Sequence, residues 1–425
     1  MIKTTLLFSF LFICAVSFSQ KELTLDSCIQ KAMDNPRNLI SEKASIERAE
    51  ITHQFGKFSF LPSFSLNSGI NVNNGRKLDP FTNTFGSNTI YSSSYGLNSQ
   101  LYVFNGFRYF YQNKMNLLNL QSSEVIKKQR LESLKQEVLE RFVSVWKIDL
   151  QIQQQKQLVE DLKTLRTIQQ VLIKAGKLSA IDTLQTSINI KQQHISLLNY
   201  EQNRTIEIIN LNYLMGDSIQ QNIQLQQEGI QPVKITFTEE FDIAKIETQL
   251  DLLAAQNKLN LTQFYPSVSM NGFLNTGYST NNKDYTIETT PTYAFNDQFK
   301  NNRYQGVGVN LNIPIFNKGQ FFQQQKIYQV SKTEQEQLAE QKALELEKKK
   351  LEVERQLLTV KDILQMNKTI LEDRKKVYEL NQLLYQEGKI RLNDLEKIQA
   401  EYYNIAMQLK VVEVDLFRLE CLFSN

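Results

Sequence analysis

The chain is poor in residues that bend or punctuate a backbone. Among 425 residues there are only 15 glycines and 7 prolines, whereas Gln, Leu, Lys and Glu are abundant. That balance favours long helices over a compact mixed fold. Opposite charges nearly cancel, leaving a formal net charge of +3, so bulk charge argues for neither a nucleic-acid partner nor an anionic membrane surface. Beyond the N-terminus no stretch approaches 18 consecutive apolar residues, which excludes a transmembrane helix. If this chain enters a membrane, it does so by strands. The only two histidines, His53 and His194, have no ligand spacing and are read as surface or packing residues. Gly306-Val307-Gly308 lies in a strand pattern and lacks the remaining glycines and the helix of a nucleotide loop. No Ser/His/Asp set, carboxylate pair in a cleft or Cys/His cluster is visible, so neither an enzyme nor a cofactor is expected.

At the N-terminus, Met1-Ile2-Lys3 and the apolar run from Thr4 to Phe18 read as a signal peptide, residues 1–19, cleaved near Ser19/Gln20. Ile13 before Cys14 is not small, so acylation is not expected. Two cysteines remain, Cys28 and Cys421. An exported protein allows them to pair, but buried or free thiols are the first expectation.

Two stretches organise the rest. Ala175-Gly176-Lys177-Leu178-Ser179-Ala180-Ile181-Asp182 and Glu387-Gly388-Lys389-Ile390-Arg391-Leu392-Asn393-Asp394 each join two heptad-like runs. Each reads as a tight turn between long antiparallel helices, with Gly ending one helix and Asp in the first turn of the next. They are separated by a shift of about 212 residues, which points to an internal duplication. Tyr95-Gly96-Leu97-Asn98 and Val307-Gly308-Val309-Asn310 keep that shift, as do Phe104-Asn105 and Phe316-Asn317. Leu61-Pro62-Ser63 matches Tyr265-Pro266-Ser267 at a shift of about 204, placing a longer loop in the second half. Residues 20–232 and 233–425 are therefore read as two repeats, with tip turns at 175–182 and 387–394.

Within each repeat, period-2 alternation marks two strands: about 62–73 and 95–104, then about 267–278 and 304–315. Phe64, Leu66, Ile70 and Val72 alternate with Ser65, Asn67, Asn71 and Asn73. Tyr95, Leu97, Leu101 and Val103 are set against Gly96, Asn98, Gln100 and Tyr102. Leu78 to Ser94 reads as a long loop, and another separates the last two strands. Pro314 belongs at a strand end or ladder edge. Helices are expected over residues 22–58, 107–174, 179–214, 239–262, 318–386 and 391–422, broken at Asn35-Pro36. The two longest come to about 100 Å each. Charged runs such as Glu345–Lys350 are read as solvated coil faces, and Trp146 as coil packing.

Four strands cannot close a barrel, and open edges are not tolerated in lipid. The smallest membrane barrels have about eight strands, so strands that cross a membrane here must come from several chains. Tyr91, Tyr95, Tyr102, Phe104, Phe273, Tyr278, Tyr304 and Phe316 are placed to form interfacial girdles. The competing reading is a periplasmic coiled-coil scaffold or adaptor with a small β cap and no channel.

The duplicated plan, the Pro-Ser and Phe-Asn motifs bracketing the strands and the Gly-x5-Asp-x-Leu turns together resemble the outer membrane efflux protein (TolC-like) family across the mature chain. The resemblance implies a mostly α fold with a small β part. It implies a homotrimer with a shared twelve-stranded β-barrel in the outer membrane, amid outer-membrane lipid, and a long α-helical barrel in the periplasm. It implies a passive exit duct of a tripartite efflux or type I secretion system, served by a periplasmic adaptor and an inner-membrane pump of RND or ABC type. By match to the family's tips, Gly176, Lys177, Leu178, Gly388, Lys389 and Ile390 would dock the adaptor. Asp394, and Asp182 in the first repeat, would stand at a periplasmic gate. Where a second acidic residue often follows three positions on, this chain has Lys397.

Overall fold

The computed structural model describes residues 22–78, 83–86, 89–176, 179–227, 229–284 and 286–423. The expected signal peptide 1–19 and the tip residues Lys177 and Leu178 lie outside them. In chain order the elements are α1 (Leu25–Asp34), α2 (Ile40–Gly56), β1 (Ser63–Asn73), β2 (Lys77–Leu78), β3 (Phe85–Gly86), β4 (Ile90–Asn105), α3 (Arg108–Lys174), α4 (Ala180–Met215), α5 (Thr238–Leu261), β5 (Ser267–Ser279), α6 (Phe295–Asn301), β6 (Tyr304–Asn312), α7 (Gln320–Gln386) and α8 (Leu392–Phe423). The chain is mostly helical with a small sheet. Its described residues form two compact units, and each draws on both halves of the sequence: 22–40 with Lys127–Phe241 and 344–423, and a second unit within Ser41–Ile126 and Asp242–Ala343.

The first unit is helical. α1 starts at Thr24, whose hydroxyl accepts from Ser27 N–H at 3.1 Å. It stops at Asn35, held extended by the following proline. Its apolar side, Leu25, Cys28, Ile29 and Ala32, enters one core with Leu134, Val138 and Phe142 of α3, Leu211 of α4 and Phe417 of α8. Fully burying each large side chain there contributes roughly 1.5–3 kcal/mol. Trp146 lies edge-on to Phe142 and Phe417, at 6.5 and 5.5 Å between centroids, which is the packing role expected of it. Cys28 and Cys421 share this core as free thiols. Burial pushes them up to about 12 and about 11 respectively.

The second unit carries a four-stranded antiparallel sheet in the order β1-β4-β5-β6. Residues paired across antiparallel strands share a face, so the register sorts every side chain. One face holds Phe64, Leu66, Ile70 and Val72 of β1 and Tyr91, Tyr95, Leu97 and Leu101 of β4. From β5 come Val268, Met270, Leu274 and Tyr278, and from β6 Val307, Val309 and Leu311. The other face is Ser63, Ser65, Asn67 and Asn71; Asn98 and Gln100; Ser269, Asn271 and Asn275; and Asn310 and Asn312. The alternation in sequence is thus a two-faced sheet.

Several details depart from expectation. β4 begins at Ile90 rather than 95, because Ser92–Ser94 pair with both β1 and β5 despite a loop-like Ser run. The long loop at 78–94 contains a short β2–β3 hairpin. β6 ends at Asn312, short of 315, and Pro314 lies just past it, where no ladder N–H is needed. The register shifts between Tyr102 and Phe104, which moves Phe104 into the apolar row with Val268 and Leu311. Tyr102, Phe273 and Tyr304, expected in a lipid-side girdle, lie instead on the polar face. There the Phe273 ring covers Gly306, 2.5 Å from where a Cβ would sit, and meets Tyr304 at 5.9 Å.

The loop between β5 and β6 holds α6, which the sequence pattern hid. β5 runs on to Ser279 after β6 has begun only at Tyr304, so its last residues lack a strand partner on that side. Side chains of α6 and its C-cap replace one. Ser279 N–H donates to Gln298 Oε1 at 2.9 Å, and Gln298 Nε2 donates to Ser279 O at 3.0 Å. Asn302 Nδ2 donates to Gly277 O at 2.9 Å. Phe295 and Phe299 meet the Tyr95 ring at 6.2 and 5.6 Å.

Both sheet-to-long-helix junctions use two consecutive left-handed residues: Gly106 and Phe107 at φ +64° and +66°, and Lys318 and Gly319 at +46° and +75°. This is the structural content of the repeated Phe-Asn motif. At Gly106 a Cβ would also lie 2.8 Å from Thr262 O and from Tyr265 Cβ, so the position requires glycine on two counts.

Candidate functional site

Two features stand out, one in each unit. The first is the sheet surface. Its apolar face is exposed to an extent unusual for side chains of this kind: Phe64 69%, Leu66 77%, Ile70 77% and Val307 78%. β1 has 11 residues and β5 has 13, enough for a tilted membrane strand of about 9–11 residues. β1 pairs only with β4, and β6 only with β5. Each therefore presents a row of N–H and C=O groups with no partner strand among the described residues.

The second is the pair of helix turns. α3 closes with Gly176 at φ +71°, its N–H donating to Ile173 O at 2.9 Å. α4 opens with Ser179, whose Oγ accepts from Ile181 N–H at 3.3 Å, and Asp182 lies in its first turn. α7 closes with Gly388 at φ +76°. There Gly388 N–H donates to Tyr385 O and Lys389 N–H to Leu384 O, both at 2.9 Å, the paired bonds of a Schellman end. Asp394 lies in the first turn of α8. Lys389 pairs with Glu387 at 2.5 Å. Ile390 is not free: it packs with Leu162, Leu165, Tyr385, Leu392 and Leu395. Nothing lies within 4 Å of a Cβ built at Gly176 or Gly388.

Behind these turns the hairpins are joined by polar contacts. Gln169 donates to the Tyr385 hydroxyl at 3.3 Å and Asn189 to Glu396 at 2.8 Å, while the Tyr403 hydroxyl donates to Asp161. Burial raises the Glu396 carboxyl, and the Asn189 hydrogen bond pulls it back. Burial and the nearby Asp161 charge push the Tyr378 hydroxyl up to about 12.

Outward, the helices keep unpartnered apolar seams. Ile181, Leu184, Ile188, Ile195 and Leu198 are exposed along α4, and Ile363, Met366, Ile370, Val377 and Leu380 along α7. Both follow the three- and four-residue steps of a coiled-coil seam. Among the described residues no group of His, Cys, Asp and Glu could hold a metal ion, and no helix is long and apolar enough to cross a membrane.

The model of the family described as outer membrane efflux protein matches residues 236–415. No curated protein matches the chain by sequence. Among solved structures, CusC, described for its folding and transmembrane channel formation, is 15% identical, with 94% of this chain and 91% of that chain covered and a TM-score of 0.77. The outer membrane protein VceC of Vibrio cholerae is 12% identical, with 94% of each chain covered and a TM-score of 0.75. The Campylobacter jejuni CmeC outer membrane channel is 16% identical, with 93% and 84% covered and a TM-score of 0.73. At such identities the likeness is one of fold.

Proposed function

We infer that this chain, whose residues 236–415 match the model of the outer membrane efflux protein family and which shares the fold of solved outer-membrane channels over 94% of its length, is the outer-membrane exit duct of a tripartite efflux or type I secretion system. The observation that carries this reading is the open-edged sheet with one apolar and one Ser/Asn face. Such a sheet is stable in lipid only if its edges are closed by other copies. Three chains of four strands make a twelve-stranded barrel with the apolar face outward and the polar face lining an aqueous lumen. The exposed seams on α4 and α7 would then be covered by neighbouring copies, forming a helical barrel in the periplasm. The duct performs no chemistry; a pump and a periplasmic adaptor deliver the cargo.

Mass measurement of the detergent-extracted protein tests this. A particle of three chains from the outer-membrane fraction is expected. A water-soluble monomer or dimer would overturn the reading and favour the coiled-coil scaffold.

The tip residues Gly176, Lys177, Leu178, Gly388, Lys389 and Ile390 are proposed as the adaptor's docking site, with Ile390 supporting the turn from within. Placing Trp at both Gly176 and Gly388 is expected to abolish export while leaving a folded trimer: no neighbour crowds either position, and the left-handed backbone, at φ +71° and +76°, costs only about 1–2 kcal/mol at each. Export that survives in such a trimer excludes docking there.

Asp394 is proposed as the periplasmic gate, with Asp182 as its counterpart. A ring of three carboxylates attracts cations, so Asp394→Asn is expected to lower cation preference in single-channel recordings. An unchanged conductance and preference would leave both aspartates the plainer role of stabilising a helix N-terminus.

A further inference from the structure

The four long strands carry no carboxylate. No Asp or Glu occurs between Glu50 and Asp79, between Asp79 and Glu124, between Asp251 and Asp284, or between Asp297 and Glu334. All four long strands lie inside these gaps, in a chain with 45 acidic residues. Where β4 and β6 end and β5 begins, beside the start of α3, the polar face opens into a cavity of about 340 Å³ lined by Tyr102, Asn105, Arg108, Tyr109, Tyr265 and Asn312, among others. The wall is made possible by Gly106, which lets the β4–α3 turn pass against Thr262 and Tyr265. Arg108 is exposed and has no ion-pair partner among the described residues. The cavity thus combines one uncompensated guanidinium, three phenols and three amides, those of Asn105, Gln263 and Asn312, within the size range of small-ligand pockets.

We propose that this cavity is an anion subsite, taking small organic anions in which a carboxylate, sulfonate or phosphate is joined to a flat ring. Arg108 pairs with the acid group, and a guanidinium fork matches such a group in two hydrogen bonds. The Tyr102, Tyr109 and Tyr265 rings offer apolar surface and hydroxyl donors to the remainder. An organic cation finds no carboxylate there to offset the Arg108 charge. The proposal deepens the duct reading, on which the polar face lines the lumen, by giving that lumen a resting place for anionic cargo.

Calorimetric titration of the full-length, detergent-purified protein tests the cavity whether or not the protein conducts. The probes are benzenesulfonate, neutral benzenesulfonamide and phenyltrimethylammonium, three molecules of similar size and different charge. Benzenesulfonate is expected to bind at least tenfold more tightly than either of the others. Arg108→Gln should erase that preference, and Arg108→Lys should retain part of it, with helical content unchanged by circular dichroism. Affinities of the three probes within twofold of each other, or a sulfonate preference that survives Arg108→Gln, would overturn the proposal. Loss of the duct reading shows separately, as failure to form a membrane trimer.

Discussion

On the duct reading, Leu66→Arg is expected to remove the protein from the outer membrane, whereas Asn67→Arg, one residue along the same strand, leaves it there. Leu66 lies in the apolar row with Leu97 and Leu274, and Asn67 lies opposite Gly96 on the other face. A charged side chain facing lipid near the middle of a barrel strand costs about 2–4 kcal/mol. In a barrel of three copies the cost recurs in each, about 6–12 kcal/mol in all, comparable with the whole stability of an ordinary domain. The same charge facing a water-filled lumen costs little. Each substitution is carried on an exposed strand at the sheet edge, so a difference between them reports the face and not the strand. Fractionation of membranes, followed by sizing of the extracted protein, reads the outcome. Equal tolerance of both would mean that neither face meets lipid and would return the sheet to the role of a soluble cap.

The second large effect is expected at Gln298. Its side chain is 1% exposed and satisfies Ser279 N–H, Ser279 O and Tyr293 O, each bond between 2.9 and 3.0 Å. Gln298→Leu keeps the approximate volume and removes every one of these bonds. Buried backbone groups left unpaired cost about 1–3 kcal/mol each, so the variant should lose about 3 kcal/mol or more in chemical unfolding. Segment 280–303 should also become an early site of protease cleavage. Lys300→Gln, on the exposed side of the same short helix, should change neither. A Gln298→Leu protein within about 0.5 kcal/mol of the parent, the scatter of ordinary surface substitutions, would mean that α6 does not hold the end of β5.

What could be read from sequence was whatever is decided locally. Gly176 and Gly388 end helices because a left-handed residue is needed there, and Ser179 restarts one because its hydroxyl caps it. The strand faces were legible because alternation and pleat share a period. α6 was not legible: its seven residues are fixed by Gln298, Phe295 and Phe299 reaching β4 and β5, and local propensity does not encode such reach. The start of β4 was hidden for the same reason, since Ser92–Ser94 become strand by pairing on both sides. The bulge after Tyr102 could not be seen either, because alternation says nothing about where a partner strand slips. Of the candidate site, the tip glycines were visible as turns. The cavity around Arg108 was not, because its walls come from stretches near 102–109, 262–267 and 312, brought together only in space.

The two unpaired strand edges bear on how such a molecule comes to exist. A solitary chain ends its own folding with β1 and β6 each lacking a neighbour and with apolar seams uncovered along α4 and α7. On the duct reading, its final strand-to-strand hydrogen bonds form only between molecules. The last folding step is then a collision between chains, and its rate rises with their concentration. Before that collision the chain is at its most adhesive, with open edges able to pair with any extended segment they meet. Export and membrane insertion would have to keep pace with synthesis, and a dilute supply of chains would be lost to misassembly more readily than a steady one.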